Sequence, residues 1–598
     1  MGYAYWLVHL TWTVPPAVLM TGLYWPFLTR LELYKILTLI GISLVAATPW
    51  DSYLIRNRIW FYPPDAIAGP RLFSIPLEEF FFFIVLTYNT SLLYVLTTKP
   101  LVLPTYLVRR PRALAVDCVV LAVVFVAAVA AVRSGGRGTY MGFIVVWATP
   151  FVAFLWVLSH RFLLALPRKT ILLVILVPSV YLCFVDNLVL QRGTWVIENK
   201  TKLDIQVLGS LDIEEAFFFF ITSLLIVMGL VSIDHAVALA EYEAATSPAA
   251  DELHLPSYGS IMISYLWRRR DPLDLVFLQS LAEAVDLTSK KSQSMFIGSA
   301  IFEGALRIDL IRLYSFYRTV DDLVDDSPDD EAARLAIQQC SEAIKARFGS
   351  RWKQADGLQY DWQNCVSGLK EEQLAPCLRS SVAQLPASRL TPEPLSHLLD
   401  GMQTDLVFSA PTRSYPIETE KDLETYAYNV AGSVAAAILG LVSHYYHPST
   451  RAELQQRVLR AGEAMGCALQ YVNIARDVGR DAAIGRVYIP NSWLRSEGLT
   501  AAEIVADPCR SQVVKLRRRM LDKAETTYEA NVGAIHELPR EIRGPMMTVV
   551  DSYLAIGKTV RKLPVESLGW KGKTRLPLLR RLVVVRQALI KANKGRGD

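Results

Sequence analysis

Seven apolar segments occupy most of the first 236 residues, at about 6–28, 34–50, 80–97, 113–132, 140–158, 170–185 and 216–233. A helix needs about 20 apolar residues to cross the ~30 Å hydrocarbon layer of a bilayer, and these segments meet or approach that length. The loops between them are short and polar, so the pattern predicts seven membrane helices. Of the whole chain 52% is hydrophobic, and the excess is concentrated here rather than spread along all 598 residues. A chain of that length exceeds one ordinary core, and a second domain is expected downstream. No basic region precedes the first apolar segment, so a cleavable leader is not expected.

The membrane half repeats itself. Trp12 and Pro15 recur as Trp147 and Pro150, and Asp51 and Trp60 as Asp186 and Trp195, all at an offset of 135. I-P-L-E-E-F-F-F-F (Ile75–Phe83) answers L-D-I-E-E-A-F-F-F-F (Leu211–Phe220), which pairs Glu78 with Glu214 and Glu79 with Glu215 at an offset of 136. Helices one to three therefore match five to seven, with the fourth as a joiner. Both copies then run in the same direction, and both acidic loops lie on one side. Glutamates at the headgroup level ahead of an apolar run account for the phenylalanines. They do not account for two glutamates and an upstream aspartate recurring at matched spacing, and ionisable residues at a membrane edge are functional candidates. A retinal photoreceptor would need a lysine in the last helix, and 216–233 has none. A flavin or nicotinamide enzyme would show G-x-G-x-x-G between a strand and a helix. The glycine cluster Gly135-Gly136-Arg137-Gly138 lies instead in a loop between membrane helices. Parallel repeats with acids at the rim fit a transporter poorly.

The second half is organised around two acidic stretches. Y-S-F-Y-R-T-V-D-D-L-V-D-D (Tyr314–Asp326) follows apolar residues at helical spacing (Leu306, Leu310, Leu313, Phe316, Val320), which places it near a helix end. Asp321 and Asp325 then share a face, as do Asp322 and Asp326. Like charges so stacked repel unless cations lie between them, and Mg²⁺ prefers such oxygen ligands. Downstream, Gln470–Pro490 places Asn473, Asp477 and Asp481 at a spacing of four, with Arg476 and Arg480 interleaved. Two acidic helix faces with flanking arginines describe a cavity that clamps a diphosphate through metal ions, the arginine forks matching phosphate oxygens. Residues 237–280, rich in Ala, Glu, Ser and Pro, read as an exposed linker. From 281 to 598 the pattern is almost wholly helical, with breaks at Ser327-Pro328, Ala410-Pro411 and Asp507-Pro508.

These blocks, with Tyr314 and Arg318, G-M-Q-T-D (Gly401–Asp405) and Y-A-Y-N-V-A-G (Tyr426–Gly432), resemble the squalene/phytoene synthase family over about 285–565. K-S-Q-S-M-F (Lys291–Phe296) matches that family's opening only loosely. The repeated E-E-x-F-F element resembles the membrane lycopene cyclases that bacteria often make as two small subunits. The second copy departs from the pattern with Asp212 where the first has Pro76. Together the halves resemble the fungal bifunctional lycopene cyclase/phytoene synthase family. The fold this implies is all-α: a membrane cyclase bundle at 1–236, the linker, and an isoprenoid-synthase-type domain at 281–598.

For the second domain the resemblance implies head-to-head condensation of two geranylgeranyl diphosphates to phytoene. Asp321, Asp325, Asp477 and Asp481 would hold Mg²⁺ (with Mn²⁺ an alternative), Asn473 and Gln470 lying near. Arg318, Arg476 and Arg486 would hold diphosphate oxygens. Tyr426 matches a tyrosine at the reacting centre, with Tyr314 and Tyr553 as further aromatic candidates or core residues. For the first domain it implies acid-catalysed closure of lycopene ends, an isomerisation that needs no NAD(P) or flavin. Glu78 and Glu214 are the favoured acids, Glu79 and Glu215 their neighbours, and Asp51 and Asp186 bases or orienting groups. Squalene synthesis with NADPH, or a synthase fused to a structural anchor or transporter-like bundle, are the rival readings. The expected partners are the two substrates, a lipid bilayer and a phytoene desaturase. A net charge of +5 gives no reason to invoke nucleic acid, although Trp267 and Arg268–Arg270 could meet anionic lipid. Seven scattered cysteines without a C-x-x-C pair argue against zinc and a disulfide framework. Arg109, Arg110, Arg112, Arg161, Arg168 and Lys169 are expected to lie on the synthase side, which would make that side cytosolic.

Overall fold

The computed structural model describes residues 2–63, 65–107, 114–198, 200–246, 257–267, 272–349, 354–355, 359–360, 375–408, 415–446, 452–569, 574 and 576–594. Arg109, Arg110, Arg112, Arg268–Arg270, Cys365 and the Ala410-Pro411 turn lie outside the described residues. Helices dominate both halves, and the described strands form only four two-stranded pairs, so the fold is all-α as expected. The chain divides into two compact units, Met1–Glu243 with Leu255–Asp271, and Ala244–His254 with Pro272–Asp598.

In the first unit, α1 runs through Ala4–Val8, a π-turn at His9–Thr13, and Val14–Tyr24. Then come α2 (Arg30–Arg56), α3 (Leu77–Thr98), α4 (Leu114–Ser134), α5 (Thr139–Ala165), α6 (Arg168–Leu190) and α7 (Ile213–Thr246). The repeat is visible in the boundaries: α1 and α5 start at Ala4 and Thr139, α3 and α7 at Leu77 and Ile213. The joiner α4 buries only Ala128 and leaves Val116, Val119, Val123 and Val126 more than 60% exposed, an all-round apolar surface suited to lipid. Seven helices among the described residues are long and apolar enough to cross a membrane, but not the seven that the sequence predicts. Six are α2 to α7. The seventh, Glu420–Tyr446, belongs to the second unit, where half of its apolar window is buried as core. The predicted first span is α1, which its π-turn interrupts.

Between α2 and α3, and again between α6 and α7, the loops make matching strands. β2 and β3 pair Arg71 with Pro76 and Leu72 with Ile75, and β5 and β6 pair Gln206 with Asp212 and Leu208 with Leu211. A two-residue hairpin turn needs positive φ. Gly209 supplies it in the second copy (φ 52), while in the first Phe73 and Ser74 adopt φ 52 and 75. The Ser52 hydroxyl donates to the Phe73 carbonyl at 2.6 Å and holds that turn. The two loops also pair with each other: β1 (Trp60–Phe61) runs antiparallel to β4 (Val196–Ile197), with Phe61 opposite Val196 and Trp60 opposite Ile197. Phe61 and Val196 are repeat equivalents, so this is the register that a two-fold axis between the copies requires.

At the other end of this bundle, Lys35 of α2 is buried against Asp234 of α7, and Tyr94 of α3 donates to the second Asp234 oxygen at 2.6 Å. Both carboxylate oxygens are satisfied, which lets an ion pair persist in a medium that penalises bare charge. Asp234→Ala strands Lys35, and a loss of about 3–5 kcal/mol is expected. Thermal unfolding of the detergent-solubilised protein measures it.

The sequence placed an exposed linker at 237–280, but its described residues are largely helical. Good helix formers (A-L-A-E-Y-E-A-A) carry α7 on to Thr246. A further helix, α8 (Tyr258–Trp267), buries Ile261 and Tyr265, and the Tyr265 hydroxyl donates to the Leu158 carbonyl at 2.8 Å.

The main helices of the second unit are α9 (Leu275–Lys291), α10 (Gly304–Asp325), α11 (Asp330–Phe348), α12 (Pro376–Ala383) and α13 (Glu393–Val407). Next come α14 (Glu420–Ala427, a π-turn at Tyr428–Gly432, then Ser433–Tyr446), α15 (Ala452–Ala483), α16 (Ser511–Asn531), α17 (Arg540–Val560) and α18 (Leu578–Lys594). α10 buries Leu306, Leu313, Phe316 and Val320 and stops at the aspartates, as the periodicity predicts. The Thr419 side chain accepts from the Asp422 amide, and Asp422 reaches back to Thr419, a capping box that fixes the start of α14. Gly479, between Asp477 and Asp481, is required by packing: a Cβ there would fall 1.4 Å from the Leu568 carbonyl oxygen.

Candidate active sites

Glutamates at consecutive helix positions point about 100° apart, so only one of each pair can face a given neighbour. Glu79 and Glu215 line one cavity together with Asp186, among Tyr5, His9, Thr13, Trp60, Tyr62, Phe82, Trp195, Phe218 and Phe219. Glu78 and Glu214 turn instead to the loops, accepting the Ala68 amide at 2.7 Å and the Leu203 amide at 2.6 Å. The sequence favoured Glu78 and Glu214, yet their geometry is that of loop anchors. Asp51 is fully buried, and neither of its oxygens has a hydrogen-bond partner among the described residues. It lies within electrostatic range of Glu79, as Asp186 does of Glu215 and Glu79. Four carboxyls from both repeats thus gather in one place.

Residues that the sequence did not single out complete the cavity. The Tyr5 hydroxyl donates to Glu79 Oε2 at 2.6 Å, and the Tyr140 hydroxyl to Glu215 Oε1 at 2.6 Å. Tyr5 and Tyr140 stand 135 apart, so the offset that found the glutamates also marks them. Tyr62 is a second donor to Glu79 Oε2 at 2.6 Å, and its repeat equivalent is Ile197. Asp212, where the first copy has Pro76, is neutralised by Lys202 at 2.9 Å.

In the second unit the two acidic helix ends meet. Arg318 donates to Asp321 at 2.7 Å and also engages Asp322, while Lys291 reaches Asp322 at 3.1 Å. Arg476 forks onto Asp477 at 2.9 and 2.6 Å. Arg486 lies 3.9 Å from Asp405 and within electrostatic range of Asp325. Asp481 in turn is in range of Asp477, Arg486 and Asp405. Asn473 donates to Gln470 at 3.2 Å. Tyr426 is buried and stacked on Tyr488, ring centres 4.9 Å apart, and the Tyr488 hydroxyl donates to Asp405 at 2.9 Å. Tyr553 lies near Tyr314, Arg476 and Asp477. Asp405 and Tyr488 were in view as sequence but carried no assigned role.

Burial pushes the Asp481 carboxyl up to about 7, repulsion from Asp477 adding to it and Arg486 opposing. Burial likewise pushes Asp405 up to about 6 against the pull of Arg486. Among the described residues no three acidic, His or Cys side chains close around a point where a metal could sit. The donor set nonetheless fits a hard dication. It is oxygen-only, with Asp477 and Asp405 both within electrostatic range of Asp481, and it is partnered by arginines that a diphosphate could draw away.

The family profile described as squalene/phytoene synthase matches residues 288–581, and that described as lycopene cyclase matches 2–97 and 114–232. The chain is 45% identical over 596 residues to the bifunctional lycopene cyclase/phytoene synthase of Arthroderma gypseum, covering 97% of this chain and 98% of that one. It is 44% identical to the protein of the same name from Aspergillus oryzae, covering 98% and 99%. Matches of that identity, end to end through both halves, show that the chain belongs to the bifunctional lycopene cyclase/phytoene synthase family.

Proposed function

We propose that the chain makes two separate contributions to carotenoid synthesis. Its second unit condenses two geranylgeranyl diphosphates to phytoene, and its first closes the ends of lycopene into β-rings. The observation that carries the cyclase reading is the single cavity in which both repeats place their second glutamate among aromatic faces. Cyclisation needs an acid that delivers a proton to the terminal double bond and a base that takes a different proton away. Glu79 and Glu215 supply carboxyls at the cavity, oriented by Tyr5, Tyr62 and Tyr140. Trp60, Trp195, Phe82 and Phe218 present π faces that stabilise the passing cation and exclude water.

For the synthase, Asp321, Asp325, Asp477 and Asp481 would hold Mg²⁺, which when bound offsets the charge developing on the departing diphosphate. Arg318, Arg476 and Arg486 bind and orient the diphosphate oxygens. Tyr426, buried on Tyr488, forms part of the wall at the reacting end. The first unit spans a bilayer several times with the synthase on the cytosolic side. A desaturase must act between the two reactions, because phytoene is not the cyclase's substrate.

Product analysis of the whole protein in membranes, given geranylgeranyl diphosphate with Mg²⁺ and separately lycopene, tests both activities. Phytoene from the first and β-rings from the second are expected. NADPH should change neither rate nor product, since phytoene forms by proton loss. A reduced C30 product from farnesyl diphosphate that appears only with NADPH would move the synthase to squalene formation.

A further inference from the structure

The carboxyls of the cyclase cavity obey the repeat, but the chemistry cannot: one proton must be given and a different one taken. Among the residues that line the cavity, three polar groups break the symmetry, and all three belong to the first copy; Asp212 of the second copy lies behind the lining, paired with Lys202. Tyr62 stands opposite Ile197, His9 opposite Ile144, and Thr13 opposite Ala148. His9 and Thr13 open and close the π-turn of α1, whereas the matching stretch of α5 is unbroken α-helix. Ile144 is fully buried in its copy, so packing alone calls for neither an imidazole nor a π-turn at this place. Single π-turns within α-helices recur at functional sites.

From this asymmetry we propose that His9, acting with Thr13, is the proton acceptor of the cyclisation; the inference rests on the cyclase reading above. His9 Nε2 lies 3.0 Å from the Glu78 carbonyl oxygen, which can only accept, so the ring hydrogen is on Nε2. Nδ1 is then the ring's basic position, 3.1 Å from the Thr13 hydroxyl that lines the cavity. The imidazole is stacked on Tyr5, ring centres 4.7 Å apart, with the edge of Phe81 at 5.1 Å, and these π faces receive a positive ring well. On the donor side the O–H bond of Glu215 breaks and a new C–H bond forms at the end of the polyene. After ring closure, a C–H bond beside the ring cation breaks and its electron pair becomes the ring double bond. That proton passes to the Thr13 oxygen while the Thr13 hydroxyl proton moves to Nδ1. One proton enters and one leaves, no oxidant is consumed, and returning a proton from Nδ1 to the Glu215 carboxylate resets the site.

The test uses the whole protein in membranes supplied with lycopene. His9→Gln keeps a donor for the Glu78 carbonyl but has no basic nitrogen, and it should cyclise at least ~100-fold more slowly. His9→Ala should be as slow, and added imidazole or 4-methylimidazole should restore a tenth or more of wild-type activity. Thr13→Val should fall between these and the wild type. Activity within threefold of wild type in His9→Gln overturns the assignment. So does a loss in His9→Ala that no imidazole restores, because that is how a purely structural histidine behaves. A wild-type protein that fails to cyclise lycopene overturns the cyclase reading itself and is thereby distinguished.

Discussion

Glu79→Gln and Glu215→Gln should each stop β-ring formation, by ~10²–10⁴-fold, while phytoene continues to form at the wild-type rate. Glutamine preserves size and hydrogen-bonding capacity, and the tyrosine that held each carboxylate oxygen can donate to the amide oxygen instead. What disappears is the exchangeable proton of the donor Glu215, and at Glu79 the carboxyl on which Tyr5 and Tyr62 converge. Because both glutamates line one cavity, neither copy is a site of its own, and each single variant should be nearly dead. Half activity in each would instead point to two independent sites. Glu78→Gln and Glu214→Gln make the informative contrast. Each still accepts a loop amide through its side-chain oxygen, so cyclisation should fall tenfold or less. Rates with added lycopene, and phytoene from geranylgeranyl diphosphate, are measured on one membrane preparation. Loss of both products from Glu79→Gln, with the protein intact in the membrane, would contradict the separation of the two activities.

Asp477→Ala and Asp321→Ala should show the converse, with phytoene lost by ~10³-fold or more and added lycopene still cyclised. On the proposed assignment each aspartate would serve twice, as an oxygen ligand and as the partner that keeps Arg476 or Arg318 in place until diphosphate arrives. Removing Asp477 takes away the carboxylate onto which Arg476 forks, removing Asp321 leaves Arg318 only Asp322, and in either case a bound metal would have one ligand fewer. Arg318→Lys should also be harmful, by ~10–100-fold, since an ammonium cannot engage two oxygens in the planar fork that Arg318 now makes with Asp321 and Asp322. Diphosphate release from radiolabelled substrate, followed as Mg²⁺ is titrated, reads these variants. Near-normal phytoene from Asp321→Ala would remove the metal assignment.

Much of this was legible in the residues. Apolar length found six of the seven described helices that are long and apolar enough to cross a membrane, and the offset of 135 or 136 found the repeat and the carboxyls. Acidic residues at a spacing of four, with interleaved arginines, pointed to the two helix ends proposed above as the synthase centre. Two kinds of feature were not legible. One is direction: sequence placed Glu78 and Glu79 together at a helix start, but which of them meets the loop depends on where Ala68 is carried by the hairpin turn that Phe73 and Ser74 close downstream of it at positive φ. The other is context at equal composition. Glu420–Tyr446 is as apolar as a membrane span yet serves as core around Tyr426. A-L-A-E-Y-E-A-A reads as solvent-loving linker yet extends α7, because helix propensity and exposure are separate properties.

The pairing of Phe61 with Val196 has a consequence for how such a chain can change. If one gene product met a second copy of itself across this axis, every substitution would appear twice, on both faces of the cavity. An acid could then never acquire a distinct base as its opposite number. Once the two copies are strung on one polypeptide, each half mutates alone. The first can gain an imidazole while the second keeps isoleucine, with the shared scaffold of tyrosine and glutamate unaltered. Tandem fusion thereby frees the bundle from its own symmetry, and the non-identical positions along the axis become the places to look for a division of labour.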